Sequence, residues 1–402
     1  VTMINLYFQV HQPERLRWFY PDETKDLYDR YFDSYSNKQI FNKVASKCYW
    51  DTNKTILGLI DNYDFKVSYS ITGTWLDQCQ RYQPDLMDTF VQMAESGKVE
   101  FLDETYYHSI SSLFDDDDLG AFRDQVAEHR QAMKDLLGVA PTTFRNTELL
   151  YNNRIAKTVQ SLGYDTILSE GIERVLDDWK SPNFMYKAKD CDLNLLLRNY
   201  KLSDDIGYRF SSRWWSEFPL TAEKWAAWAS GAGGDLLNIF MDYETFGEHQ
   251  WDDTGIFQFL NALPEHVLNY DNLEFTTPSE STKRCDARGE IDVHECSTIS
   301  WADLERDPSA WLGNDMQQRC FEEIKALEPY VRQTKDLEIK RIWNLLQTSD
   351  HYYYACTKWL DDGDVHNYFS HHNSPFDAAV NLMSVITDFK AKVFETLSRK
   401  NI

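Results

Sequence analysis

The sequence predicts an α/β protein, with strands and helices alternating along the first two thirds and a helical bundle at the C-terminus. Three observations carry this expectation. Short extended runs alternate with segments of helical period up to about residue 241. Several of the runs are almost continuously apolar, as strands of a parallel sheet covered on both faces must be. From about residue 313 only helical period remains.

The extended runs are INLYFQV (4–10), KVSYSIT (66–72), KVEFLDE (98–104), APTTFRNTE (140–148), YDTILSE (164–170), LNLLLRN (193–199) and LLNIFMDY (236–243). Helical segments fill the intervals. QIFNKVASKCYWDTNKTILGLI has helical period, and PDLMDTFVQMAESG opens on a proline and stops at Gly97. LGAFRDQVAEHRQAMKDLLG stops at Gly138, and TAEKWAAWASG offers Thr221 as an N-cap and Gly231 as a stop. Strand–helix repeats of this kind read as right-handed βαβ units. Seven of them can close into a barrel or lie open, and periodicity does not choose. Residues 271–300 are polar and without period, which reads as a long loop or excursion. Beyond it, NDMQQRCFEEIKALEPYVRQ, EIKRIWNLLQTSDHYYYACTKWL and PFDAAVNLMSVITDFKAKVFETL predict three helices. The expected division is therefore 1–270, a linking excursion over 271–312, and a helical unit over 313–402.

Composition narrows the function. The net charge of −24 argues against nucleic acid and anionic membrane, which both require a positive surface. Aromatic residues make up 15% of the 402-residue chain; such rings fill cores and also stack on the apolar faces of sugars. The seven cysteines form no CxxC pair, so no zinc ribbon or redox motif is indicated and a reducing cytoplasm is expected. No run of about 18 apolar residues is present to span a bilayer, and VTMINLYFQV does not read as a signal peptide. Oligomeric state is not readable.

The chemistry is placed by position. His11 follows the first run; Tyr106, Tyr107 and His108 follow the third; Glu148 ends the fourth; Asp242 and Glu244 end the seventh. In parallel α/β sheets the carboxyl ends of strands gather at one mouth, so these residues are expected to converge. Two carboxylates from two strand ends point to glycoside hydrolysis, with a separation of about 5–5.5 Å if configuration is retained. One such acid alone would more often be a helix cap or loop charge. His249 is expected to contact the site, Trp311 to pack, and Trp214 and Trp215 to be core residues. Arg145 could pair with Glu148 and hold it ionised.

Five stretches resemble the signature motifs of glycoside hydrolase family 57: VHQP (10–13), GKVEFLDETYYHS (97–109), FRNTELLYNN (144–153), MDYETFGEHQW (241–251) and LQTSDHYYY (346–354). SISWADLERDPSAWLGNDMQ (298–317) and SPFDAAVNLMSVITDF resemble its α-amylase-like subgroup. The resemblance implies an incomplete (β/α)7 barrel with a helical domain over its mouth, acting on α-glucans by a retaining mechanism without metal or organic cofactor. It implies Glu148 as nucleophile and Asp242 as general acid/base, His11 and Asp350 as sugar contacts, and Trp251 and Trp301 as stacking platforms. Two positions depart from the common pattern. Gln9 stands where many members carry a histidine. His108 stands where many carry an acid, which is similar to the amylase-like subgroup.

The sequence thus predicts a retaining α-amylase-like enzyme cutting α-1,4 links, with 4-α-glucanotransferase as the alternative; other linkage specificities, such as α-galactosidase, stay open. A polysaccharide deacetylase would need a paired-histidine spacing that is missing. A non-catalytic carbohydrate-binding relative would have no reason to keep both Glu148 and Asp242. GxSxG and Gly-rich phosphate loops do not occur.

Overall fold

The computed structural model describes residues 1–177, 179–358 and 368–400. Each of the seven extended runs contains a strand. They are β1 (Thr2–Val10), β2 (Val67–Ile71), β3 (Val99–Phe101), β4 (Thr143–Phe144), β5 (Thr166–Glu170), β7 (Asn194–Arg198) and β8 (Leu236–Asp242). Three short strands join them: β6 (Tyr186–Ala188), β9 (Leu273–Thr276) and β10 (Glu290–Ile291).

Every residue of β1 is buried because both faces are covered, with Ile4, Leu6, Phe8 and Val10 in one core and Met3 and Tyr7 in another, and the strand is paired along both edges. One edge takes β8 over Met3–Gln9; the other takes β9 over Thr2–Asn5 and β2 over Tyr7–Val10, all parallel. Parallel neighbours then run β3-β2-β1-β8-β7-β5-β4. A single parallel bridge, Asp103 to Phe144, links the segment after β3 to β4. The β6–β7 pair is antiparallel. The fold is mixed α/β, with a parallel-dominated sheet and a C-terminal helical region.

Helices cover the outer face. Thr72 caps the helix Gly73–Tyr82 by accepting from the Trp75 amide, a bond worth about 1 kcal/mol, and Thr221 caps Ala222–Gly231 in the same way. Trp75 and Trp225 are fully buried in the core between β1, β2, β8 and these helices. A second core joins β5 and β7 to the C-terminal helices through Trp311 and Trp343.

Three expectations need correction. The stretch 271–312 is not a bare excursion: it contains β9, the helix Pro278–Arg284 and β10. These elements are too short to show a period. The second predicted C-terminal helix is broken into Leu337–Leu345 and Ser349–Tyr353, and its last two residues, 359–360, lie outside the described residues. Trp214 is 80% exposed, whereas Trp215 packs against Trp228. Adjacent residues in a turn face opposite ways, so only one tryptophan of the pair reaches the core.

Candidate active site

The carboxyl ends of β1, β2, β3, β4 and β8 supply most of the site, and the C-terminal region supplies the rest. After β3 the chain is stitched to the broken helix. The Ser349 amide donates to the His108 carbonyl at 2.8 Å, and the Thr348 hydroxyl to the Tyr107 carbonyl at 2.8 Å. The break at 346–348 is what turns Ser349 and Asp350 toward the strand ends.

Glu148 sits just past β4 with φ 56°, and Leu149 follows at φ 53°. Left-handed backbone at two successive side-chain-bearing residues costs on the order of 1–3 kcal/mol each and persists only where the surroundings enforce it. Three donors converge on the Glu148 carboxylate. Oε1 accepts from the His108 ring (Nε2, 3.0 Å) and the Ser349 hydroxyl (2.9 Å), and Oε2 accepts from the Trp301 indole N–H (2.8 Å). Burial alone would raise this carboxyl. The hydrogen bond and charge of His108, then Arg145 and Trp301, outweigh it and bring the pKa down to about 2.

Asp242 ends β8, in register with Gln9 on β1. Its carboxylate accepts no hydrogen bond from the described residues. Burial, then the charge on Glu148, push its pKa up to about 6. The two acids therefore interact and are driven in opposite directions, one held ionised and the other biased toward the protonated form.

His11 anchors the mouth after β1. Its Nδ1 meets the Thr72 hydroxyl at 2.9 Å, its Nε2 meets Asp350 Oδ1 at 2.7 Å, and its amide donates to Glu244 Oε1 at 3.2 Å. Its ring stacks on His108 with centroids 3.9 Å apart. Burial and then the His108 charge lower the His11 pKa, favouring the neutral ring with Nε2–H donated to Asp350. Burial opposes charge on Asp350, but His11 and then His108 hold it well below the usual range. Glu244 also accepts from the Tyr49 hydroxyl at 2.7 Å; burial and then Asp242 raise it to about 8.

The remaining predicted residues divide. The His249 ring is half-buried, packs edge-on against Phe369 at 5.3 Å, and is lowered by burial to about 4. Trp251 is 56% exposed, with Lys47 Nζ 4.9 Å from its ring centre. Trp301 binds Glu148 rather than standing clear as a platform: the guanidinium groups of Arg145 and Arg198 lie over its ring at 4.7 and 5.5 Å. Arg145 is fully buried and its guanidinium makes no hydrogen bond among the described residues, so it acts on Glu148 through charge and not as a direct pair. Trp311 is packed away, 1% exposed.

Sequence reasoning missed Ser349, Thr72 and Glu104 as parts of this constellation. Ser349 lay in a run read as continuous helix, Thr72 looked only like a strand end, and Glu104 was read as the end of a strand. The adjacency of Ser349 to Asp350 in the fifth motif was a usable signal.

His11, His108 and Asp350 offer ligand atoms within 4.8 Å of one another, a grouping that could hold a cation. The donor chemistry fits one poorly. Both nitrogens of each ring are already hydrogen-bonded, and His108 faces carboxylates on both sides, which calls for protons where a metal needs lone pairs.

An acid held ionised beside an acid biased toward protonation, at the carboxyl edge of a parallel sheet, is the arrangement of a glycoside hydrolase. The chain belongs to glycosyl hydrolase family 57, whose family model matches residues 5–294. It is 46% identical over 405 aligned residues to a Methanocaldococcus jannaschii protein named "Putative alpha-amylase", covering 99% of this chain and 86% of that one. Its fold is similar to a branching enzyme of the same family from Thermococcus kodakaraensis (TM-score 0.70, 13% identity, 96% of this chain and 89% of that chain). It is also similar to a 4-alpha-glucanotransferase from Thermococcus litoralis (TM-score 0.67, 13% identity, 88% of this chain), of which it spans 56%. No helix among the described residues is long and apolar enough to cross a membrane.

Proposed function

We propose that this protein is a retaining, α-amylase-like glycoside hydrolase that cuts α-1,4-glucans through a glycosyl-enzyme on Glu148. The observation that carries the reading is the opposed setting of two strand-end acids: three donors converge on Glu148 and hold it down to about 2, while Asp242 accepts no hydrogen bond from the described residues and is pushed up to about 6 by burial and the Glu148 charge. Near pH 5 one acid is an anion and the other still holds its proton, as a nucleophile and a general acid must.

In the first step the Glu148 carboxylate attacks the anomeric carbon while Asp242 protonates the departing glycosidic oxygen. The ester formed on Glu148 carries no charge. Since that charge is part of what raises Asp242, esterification lowers the Asp242 pKa and turns it into a base. Asp242 then deprotonates water, which attacks the anomeric carbon, and the electron pair returns to Glu148. His11 and Asp350, fixed to each other, serve as sugar contacts together with His108, Glu244 and His249. Trp251 offers an exposed ring for stacking.

This reading includes an incomplete (β/α)7 barrel over 1–270, the segment 271–312 contributing Trp301, and a helical domain over 313–402 contributing Ser349 and Asp350. The seven unpaired cysteines support a cytoplasmic setting.

The test is a time course on maltoheptaose, products resolved by chain length, with Glu148→Gln as control. Shorter sugars alone, absent in the variant, establish hydrolysis. Longer sugars appearing alongside shorter ones make the protein a 4-α-glucanotransferase, in which a sugar hydroxyl takes the place of water. No change with either protein rejects the assignment.

A further inference from the structure

Glu104 has no task in the reaction described above, yet it is completely buried just beyond β3. Its Oε2 accepts from the Gln9 side-chain amide at 2.8 Å, and its Oε1 faces His108 Nδ1 at 3.4 Å. The other ring nitrogen of His108, Nε2, lies 3.0 Å from Glu148 Oε1. An ionised carboxylate only accepts hydrogen bonds, so both ring nitrogens must carry hydrogen, and a histidine in that state is an imidazolium. The His108 backbone is left-handed at φ 49°, and its ring is stacked on His11 with planes 28° apart. The ring is thereby fixed along the line between the two carboxylates.

We propose that Glu104 is a positioning residue for the glycosyl transfer: braced by Gln9, it keeps His108 doubly protonated and aimed at Glu148 through both halves of the cycle. The inference deepens the reading of this site as a retaining glycosidase and rests on it.

The need for Glu104 arises in the second half. While Glu148 is ionised, His108 has two anionic neighbours. Once Glu148 is a neutral ester, Glu104 is the carboxylate still bonded to the ring. The other groups around His108 do not replace it. Arg145 repels the imidazolium; the neutral His11 ring adds no charge; Asp350 attracts His108 through charge, but its hydrogen bond goes to His11; and Asp242 gains charge only as it becomes the base. Behind Glu104, His129 is itself paired with Asp103 at 2.7 Å. When the bond between the anomeric carbon and the Glu148 oxygen breaks, the electron pair returns to the carboxylate, and the water proton goes to Asp242. A charged donor already in place stabilises that returning charge. Burial opposes the imidazolium, but the carboxylates of Glu104 and then Glu148 raise its pKa to about 10. Gln9 suits its place because an amide carries its N–H at every pH.

The experiment is NMR of the full chain labelled with ¹⁵N in its histidine rings, titrated with and without Glu104→Gln, together with kinetics on maltoheptaose. His108 is expected to stay doubly protonated past pH 9 in the native protein, and its midpoint to fall by at least one unit in the folded variant. At pH 7, kcat should drop at least tenfold while KM changes less than threefold. An unmoved His108 midpoint, or an unchanged kcat, overturns the proposal. The titration needs no substrate, so failure of both proteins to act on any α-glucan would reject the glycosidase reading while the ring still reports on Glu104. If Glu104→Gln does not fold, Gln9→Ala replaces it: a smaller downward shift of the same midpoint supports the inference, and no shift overturns it.

Discussion

Replacing Trp301 with phenylalanine keeps an aromatic ring beneath Arg145 and Arg198 and removes one N–H from Glu148. That N–H is one of three donors on the carboxylate, at 2.8 Å. A hydrogen bond to a charged acceptor contributes about 1.5–3 kcal/mol, and one pKa unit corresponds to about 1.4 kcal/mol. Glu148 in the variant is therefore expected to titrate one to two units, in round terms, above its native value of about 2. The sign for stability follows from the same shift. The folded pKa lies below the ordinary 4.5, so the ionised Glu148 stabilises the fold above pH 4.5, by about 3 kcal/mol, and that contribution is lost as pH falls toward 2. Two assays read this. The acid limb of kcat/KM should move up by about one to two units while the basic limb, set by Asp242, stays in place. Urea unfolding should show the variant less stable at pH 7, with the gap to the native protein narrowing as pH approaches 2. An acid limb that does not move, or a stability gap independent of pH, would refute the claim that the indole N–H holds this carboxylate ionised.

Other outcomes follow from the same geometry. Glu148→Gln removes the second contributor to the raised Asp242, so a carboxyl titration followed by infrared difference spectroscopy should find Asp242 below its native value of about 6. Asp350→Asn breaks the pair with His11 at 2.7 Å, and kcat/KM should fall about 100-fold, the cost of roughly 2.7 kcal/mol in the transition state; a loss below threefold would place that pair outside the reaction. Trp251→Ala touches an exposed ring, so the melting temperature should stay within about 2 °C, in keeping with the small effect of surface changes, while KM for long glucans rises several-fold.

Much of the fold was legible because burial leaves a direct trace. β1 is covered on both faces, and its sequence is apolar except at Thr2, Asn5 and Gln9. The strand ends carrying His11, Glu148 and Asp242 were readable for the same reason: polarity returns where the buried strand stops. The rest was set by tertiary contacts. β9 is four residues long and is a strand because β1 offers it an edge. Thr348 and Ser349 sit in a helical pattern, but their bonds to the Tyr107 and His108 carbonyls interrupt the helix. Trp301 was expected as a sugar platform, since aromatic content suggests stacking; which way its N–H points depends on a carboxylate 153 positions away. Glu104 lies inside the second motif, but its task was not legible, because a buried acid and an exposed one look alike in one sequence.

The stitch between residues 107–108 and 348–349 has a consequence for the order in which the molecule becomes competent. Ser349 and its neighbour Asp350 are held at the strand ends by the bonds that Thr348 and Ser349 make to the segment following β3 and to Glu148. On a ribosome, which releases the chain from its N-terminus, both carboxylates of the pair emerge long before the hydroxyl that helps hold one of them and the acid that fixes His11. On the proposed function, the nascent sheet is therefore expected to be catalytically silent until the C-terminal region is released and docks.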